Sequence, residues 1–267
     1  MSRVGEVRVS SDELKLPLPS LADYVHFHRK RLGLTREALG HRAFLSARTI
    51  QKLERGEQTG LSQPTQQALG RALGLTSPAE FKHLDDLTRV HIPRPWSPEV
   101  VRTEVTAAEQ AMLDDLMPSP AAYCNWSWDV IAANDAYEKL FPGRVAAGNV
   151  MLWLFGPMGR KVMASWADEI PNDVARMRGI MTHFGNPEPG IQVLRALQDD
   201  PDFARLWLTR SVGFDRGVEE PQHVHTEAGP VSVSMQLQSF PAGREFLHLC
   251  VAAVRPYRGP SLRTDPI

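Results

Sequence analysis

Cysteine is almost missing from this 267-residue sequence: only Cys124 and Cys250 occur, far apart and outside any Cys-x-x-Cys pair. That excludes a zinc ribbon or a thioredoxin-type motif and fits a reducing compartment. No apolar run reaches the roughly 18 residues of a membrane span, and Met1 to Val9 lacks the apolar stretch of a signal peptide, so a cytoplasmic protein that avoids membranes is expected. Gly-x-Ser-x-Gly, a P-loop, Gly-x-Gly-x-x-Gly and a recognisable carboxylate pair are all missing, and no enzyme activity is expected. Internal repeats are lacking too. What remains is average globular composition, 42% apolar and 23% charged. At this length two domains are expected.

Net charge is only −1, but its distribution is uneven. Residues 1–95 hold 15 Lys and Arg against 10 Asp and Glu, whereas 96–267 hold 15 against 21. The excess lies between Ser20 and Leu75, so a compact basic unit suited to a polyanion is joined to an acidic one.

Residues 1–19 are polar, end in Leu-Pro-Leu-Pro and have no sustained period, which predicts a flexible arm. From Ser20 onward the pattern is helical. Ser20 caps a helix to about Leu32, Thr35 a short one to Ala43, and Ser46 a third that carries Ile50 and Leu53 and stops at Gly56. Pro64 to Gly74 brackets a fourth, and Ser77-Pro78 opens a fifth to about Val90. This unit, 20–91, is an all-α five-helix domain. Three prolines between His91 and Pro98 mark a boundary, so 92–103 is expected to be a linker. Beyond it, 104–258 reads as an α+β domain with an antiparallel sheet, and 259–267 as a tail. Helices are expected over Glu104–Leu116, Asn149–Phe155, Arg160–Phe184 and Gly190–Gln198. Ala121–Ala133 and Val231–Phe240 contain strand-like segments. In the latter, Val231, Val233, Met235 and Leu237 alternate with polar residues, as in a strand with one wet face. The apolar run Arg244–Val254 suits a central strand, and Ala204–Val212 reads ambiguously, as a strand entered from a helical turn.

The second and third helices form a helix-turn-helix, which sets its second helix in the major groove. Arg29-x-x-x-Gly33-Leu34-Thr35-Arg36-Glu37-Ala38-Leu39, then Ser46-x-x-Thr49-Ile50-x-x-Leu53-Glu54-x-Gly56, closely resembles the XRE family of phage-repressor-like proteins. That resemblance implies an Arg29–Glu54 pair and double-stranded DNA as partner. Ser46 and the exposed Ala47, Arg48, Gln51 and Lys52 stand at the front of the third helix. Arg48 can fork onto guanine, and Gln51 or Lys52 can reach neighbouring bases. Thr35, Arg36, Arg42 and Arg55 are expected on phosphates. Two positions depart from the family: Arg36 replaces its usual glutamine, and Phe44 stands where glycine is usual, though a bulky residue resists positive φ. One short helix reads few base pairs, so a homodimer on two half-sites is expected.

Asp129-Val-Ile-Ala-Ala-Asn134, Leu152-Trp153-Leu154-Phe155-Gly156-Pro157 with Arg160, Trp166, Phe203-x-x-Leu206-Trp207 and His225-x-Glu227-x-Gly229 together resemble the ligand-binding domain of MmyB-like transcription regulators. The resemblance covers most of 20–254 and implies a PAS-like sensor of a small, fatty-acid-like molecule, with no other cofactor. Met151, Trp153, Phe155, Met163, Trp166 and Trp207, with Val233, Met235 and Leu237 on the sheet, can line an apolar pocket or simply fill the core. Arg160, Arg178 and His225 are candidate anchors for an anionic head group, or ordinary structural contacts. His223 and His225 share a strand face near Glu227, but no third histidine has usable spacing and no metal is expected. The rival readings are a metal-dependent enzyme built on His223 and His225, and a ligand-free dimerisation domain.

Overall fold

A computed structural model of the chain describes residues 14–89, 97–214, 221–239 and 247–260. The first unit contains α1 (Leu21–Arg31), α2 (Arg36–Ala43), α3 (Ala47–Glu54), α4 (Gln63–Ala72) and α5 (Pro78–Thr88). Side chains fix where these begin. Ser20, Thr35, Ser46, Ser62 and Ser77 each accept a hydrogen bond from the backbone N–H three positions on, satisfying a donor that the helix itself cannot. Their apolar faces close on Leu21, Val25, Leu39, Ile50, Leu53, Leu69, Leu73 and Leu84.

The second unit begins with α6 (Pro98–Glu104) and α7 (Ala107–Asp115). Half of the expected linker is therefore helical, with Ser97 as cap and Pro98 in the first turn. Residues 90–96 lie outside the described residues. The helix expected from Glu104 breaks at Val105, because Thr106 and Glu109 form a reciprocal capping box that starts a new one. Then follow β1 (Ala121–Asn125), β2 (Val130–Ala133), α8 (Asp135–Leu140), α9 (Arg144–Ala147), α10 (Val150–Phe155), α11 (Pro157–Val162), α12 (Trp166–His183), α13 (Glu188–Leu197), α14 (Pro201–Leu208), β3 (Gln222–Thr226), β4 (Gly229–Ser239) and β5 (Leu247–Pro256). Among the described residues the strands form one antiparallel sheet in the order β2-β1-β5-β4-β3. This is an α+β domain, as the residue pattern suggested, with the PAS-like plan that the resemblance implied.

Strand period two sends alternate residues to opposite faces. Ala121 and Tyr123 meet Val101 of α6 and Leu113 of α7, while Ala122 and Cys124 join the larger core with Trp153, Phe203 and Trp207. Both faces of β1 are thus covered.

Several expectations need correction. The long helix over 160–184 is interrupted at Met163–Ser165, where Met163 bridges to Val224 and the Ala164 N–H donates to the His223 carbonyl at 2.8 Å; backbone that pairs with a strand cannot continue a helix. Ala204–Val212 holds no strand: Asp200 caps the first turn of α14, which ends at Leu208. The alternation along β4 is imperfect, since Ser232 is buried and Leu237 is 53% exposed. Residues 14–19 are not a free arm. Leu16 is buried, the Trp207 indole N–H donates to the Pro17 carbonyl at 3.0 Å, and the Asn186 amide to the Pro19 carbonyl at 2.9 Å; residues 1–13 lie outside the described residues.

The two units meet through α5 and α12. Asp86 on α5 accepts from Lys82 at 2.7 Å and faces His183 of α12 at 3.2 Å, and Arg210 forks onto Asp23 of α1 at 2.8 and 2.9 Å.

Candidate DNA interface and ligand cavity

The turn between α2 and α3 is built on close approach. A Cβ on Gly40 would lie 2.6 Å from the Leu45 carbonyl, so the chain can double back only over a glycine. Phe44 adopts φ +57° as the cap of α2, with its ring 90% exposed. The bulky residue accepts the left-handed conformation that its type resists, and the family's turn survives the substitution.

Glu54 fixes α3 against the rest of the domain. Its side chain is 3% exposed and lies 2.5 Å from Arg29 Nε and 2.6 Å from Arg36 Nε, and Arg29 also donates to the Leu34 carbonyl at 2.8 Å. Burial pushes the carboxyl pKa up, but hydrogen bonds from Arg29 and Arg36 outweigh it and hold it below the usual range. Arg36, expected on phosphate, is thus drawn to the buried Glu54 carboxylate. The Thr35 hydroxyl receives the Ala38 N–H, and Ser46 that of Thr49. Arg55 lies 3.7 Å from Glu57.

Ile50 and Leu53 turn inward, which leaves the opposite face of α3 in water. Arg48 and Lys52 are exposed there, Ala47 and Gln51 are half-buried, and Arg42 is exposed on α2. Among the described residues none of the three cations forms an ion pair or side-chain hydrogen bond.

In the second domain a cavity of about 440 Å³ opens between the sheet and the helices. Met151, Leu154 and Val150 of α10, Trp128, Tyr137 and the strand residues Cys124, Met235, Leu237 and Cys250 line it, together with Arg144, Asp173, Arg176 and Arg255. Of the residues expected at a pocket, Met151, Met235 and Leu237 are in this wall. The others lie elsewhere. Trp153, Phe155, Met163, Trp207 and Val233 are packed in the core, and Trp166 rests against it with its indole N–H on the Leu154 carbonyl at 2.7 Å. Phe203 links two of these rings, stacking on Trp207 and meeting Phe155 edge-on.

The expected anchors are also placed differently. Arg160 is bound to Asp200 at 2.9 Å and Asp202 at 3.0 Å. Arg178 is buried at the junction of the domains, donates to the Trp207 carbonyl and lies 4.1 Å from that ring's centre. Burial, then the nearby Arg210 charge, push its pKa down to about 10. His225 is exposed on β3, whereas His223 is buried with Nδ1 3.1 Å from the Ser232 hydroxyl. Among the described residues no three metal-ligating side chains cluster. Arg144, which the sequence reading passed over, sits in the cavity wall; a lone arginine after Pro142-Gly143 carries no linear sign of burial.

A helix-turn-helix unit joined to a hollow PAS-like domain defines a class, the DNA-binding regulators that carry a ligand sensor. Residues 20–84 match the family described as helix-turn-helix domain, and residues 105–259 match the MmyB-like transcription regulator ligand binding domain. The second match spans more than half of the chain, and the protein belongs to that family. It is a transcription regulator whose partners are DNA and a small molecule. No curated protein matches the chain. No helix of the described residues is long and apolar enough to cross a membrane.

Proposed function

We propose that the protein is a homodimeric, sequence-specific, non-catalytic regulator whose C-terminal domain senses a small apolar ligand of the fatty-acid kind. The observation that supports this best is the pairing of a solvent-facing, cationic α3 with a cavity of about 440 Å³, a size within the ~300–1,000 Å³ range of small-molecule sites. Arg48 reads a base, with Gln51 or Lys52 beside it, and Arg42 contacts phosphate. Each buried methylene of a ligand contributes about 0.8 kcal/mol, so a medium chain reaches micromolar affinity after ordering costs.

Binding assays on operator and random DNA test the first half. Arg48→Ala should cost roughly 1–3 kcal/mol and relax preference at one base pair, while Arg42→Ala weakens all sequences alike. Equal losses on both DNAs for Arg48→Ala would remove its reading role. For the second half, Met235→Trp should fill the cavity and stop fatty-acid uptake while sparing the fold. Undiminished uptake by a folded variant would show that the ligand sits elsewhere.

A further inference from the structure

Arg144 is 2% exposed, yet nothing in the described protein neutralises it. Its guanidinium makes one long hydrogen bond, from Nη1 to the Tyr137 hydroxyl at 3.5 Å, and Nε and Nη2 have no hydrogen-bond partner. Aromatic rings flank it, with the centre of Phe141 at 3.6 Å and that of Trp153 at 4.1 Å from Cζ. Those faces attract a cation and hold the guanidinium plane, but they do not neutralise it. Asp129, the buried carboxylate of the same region, is occupied by Asn125, Ser127 and Asn149. An unpaired buried charge is among the costliest features a fold can carry, and an arginine kept in that state beside a void points to a counter-ion from outside.

The shape of the void says what kind of anion. Its wall takes in Ser234 to Leu237, four successive residues of β4, or roughly 10 Å of strand at ~3.3 Å per residue. Met151, Leu154 and Met235 make the side of that channel apolar. Of the two other cations lining it, Arg176 is already paired with Asp173 at 3.2 Å, and Arg255 is exposed, where water screens it. Nε and Nη2 form one edge of the guanidinium, the edge whose two parallel N–H groups match a carboxylate.

We propose that Arg144 is the counter-ion for the ligand's acid group, so that the sensor selects an aliphatic carboxylate over its neutral analogues and holds the acid group inside the domain, with the chain along β4. This rests on the cavity being the ligand site. Selectivity comes from the charge. A neutral head leaves the guanidinium unanswered, whereas a carboxylate gains charge-assisted hydrogen bonds in a poorly hydrated site.

Tetradecanoate and tetradecanol share a chain and differ in charge, so titrating both into the full-length protein separates the two ideas. The acid should bind roughly 30-fold more tightly than the alcohol. Arg144→Met should lose that preference and, ligand-free, melt at a higher temperature, because an apolar side chain replaces an unpaired buried charge. Should that variant fold poorly, Arg144→Lys keeps the charge without the fork and should retain only part of the preference. Arg255→Gln should change the preference little. Equal affinity for acid and alcohol would overturn the role of Arg144 while leaving the cavity as a ligand site, and so would a preference abolished by Arg255→Gln but kept in Arg144→Met. Binding of neither compound would overturn the cavity reading and the anchor with it.

Discussion

Arg29 and Arg144 are both buried, one in each domain, and the protein treats them in opposite ways. Arg29 meets the buried carboxylate of Glu54 and a main-chain carbonyl, beside helices whose apolar faces close on one another. Arg144 meets aromatic rings and lines the cavity. The difference follows from the task. A DNA-reading helix must hold one orientation, so its charge is answered within the fold. A sensor must respond to what it binds, and a buried cation with no partner in the protein gives an acidic ligand the differential affinity that the role proposed for Arg144 requires.

Breaking the answered pair should have the largest effect. Glu54→Ala strands Arg29 in the core and should cost about 3–5 kcal/mol of stability, measured by urea unfolding, whereas replacing both Arg29 and Glu54 by apolar residues should recover most of the loss. A Glu54→Ala loss below about 1 kcal/mol would erase the contrast with Arg144.

The junction between the domains sharpens the comparison, because burial there is met by neutrality instead of pairing. Burial, then the Arg31 charge, push His28 down to about 4; burial, then the Arg178 charge, push His83 down to about 3. The unfolded rings take up protons near 6.5 and the folded ones refuse them until far lower pH. Their contribution to stability is therefore complete above about pH 6.5 and falls as pH drops towards 3. At pH 5 each ring should cost on the order of 2 kcal/mol relative to pH 7.5, and His83→Phe should flatten the profile by about that amount. A profile unchanged by His83→Phe would mean that this ring is protonated in the folded protein.

Asp23→Ala removes the fork with Arg210, and since both groups are partly exposed the loss should be only about 1 kcal/mol. Its sharper reading is coupling. If the fork transmits the sensor's state, ligand should alter operator affinity less in this variant than in the parent, as gel-shift titrations with and without tetradecanoate would reveal. The smallest effect lies in the turn. Phe44→Gly relieves a left-handed backbone at an exposed ring and should stabilise the DNA-binding domain by up to ~1 kcal/mol, net of glycine's entropy in the unfolded chain.

Much of this architecture was legible because its signals are local. Caps at Ser20, Thr35, Ser46 and Ser77 lie within three residues of the donors they satisfy, and Ile50 and Leu53 announce the inward face of α3 by spacing alone. Reading failed where distant backbone intervened. The break between α11 and α12 exists because β3, some 60 residues later, takes the hydrogen bonds of Ala164, and residues 14–19 are held by Trp207.

The same divide separates the two functional regions. Composition, caps, helical spacing and strand alternation by themselves determined the domain order, the helix-turn-helix with its basic third helix and the α+β class of the second domain, while its sensor role came from resemblance to a family. They are encoded in steps of two to four residues along one chain. Only the tertiary structure decided which large side chains border the cavity and which fill the core, since tryptophan and methionine serve either purpose equally well. It alone showed that Glu54 answers two arginines and that Arg144 is left unanswered. Charge compensation depends on which groups meet across the fold, a property of the packed whole that no window of sequence contains.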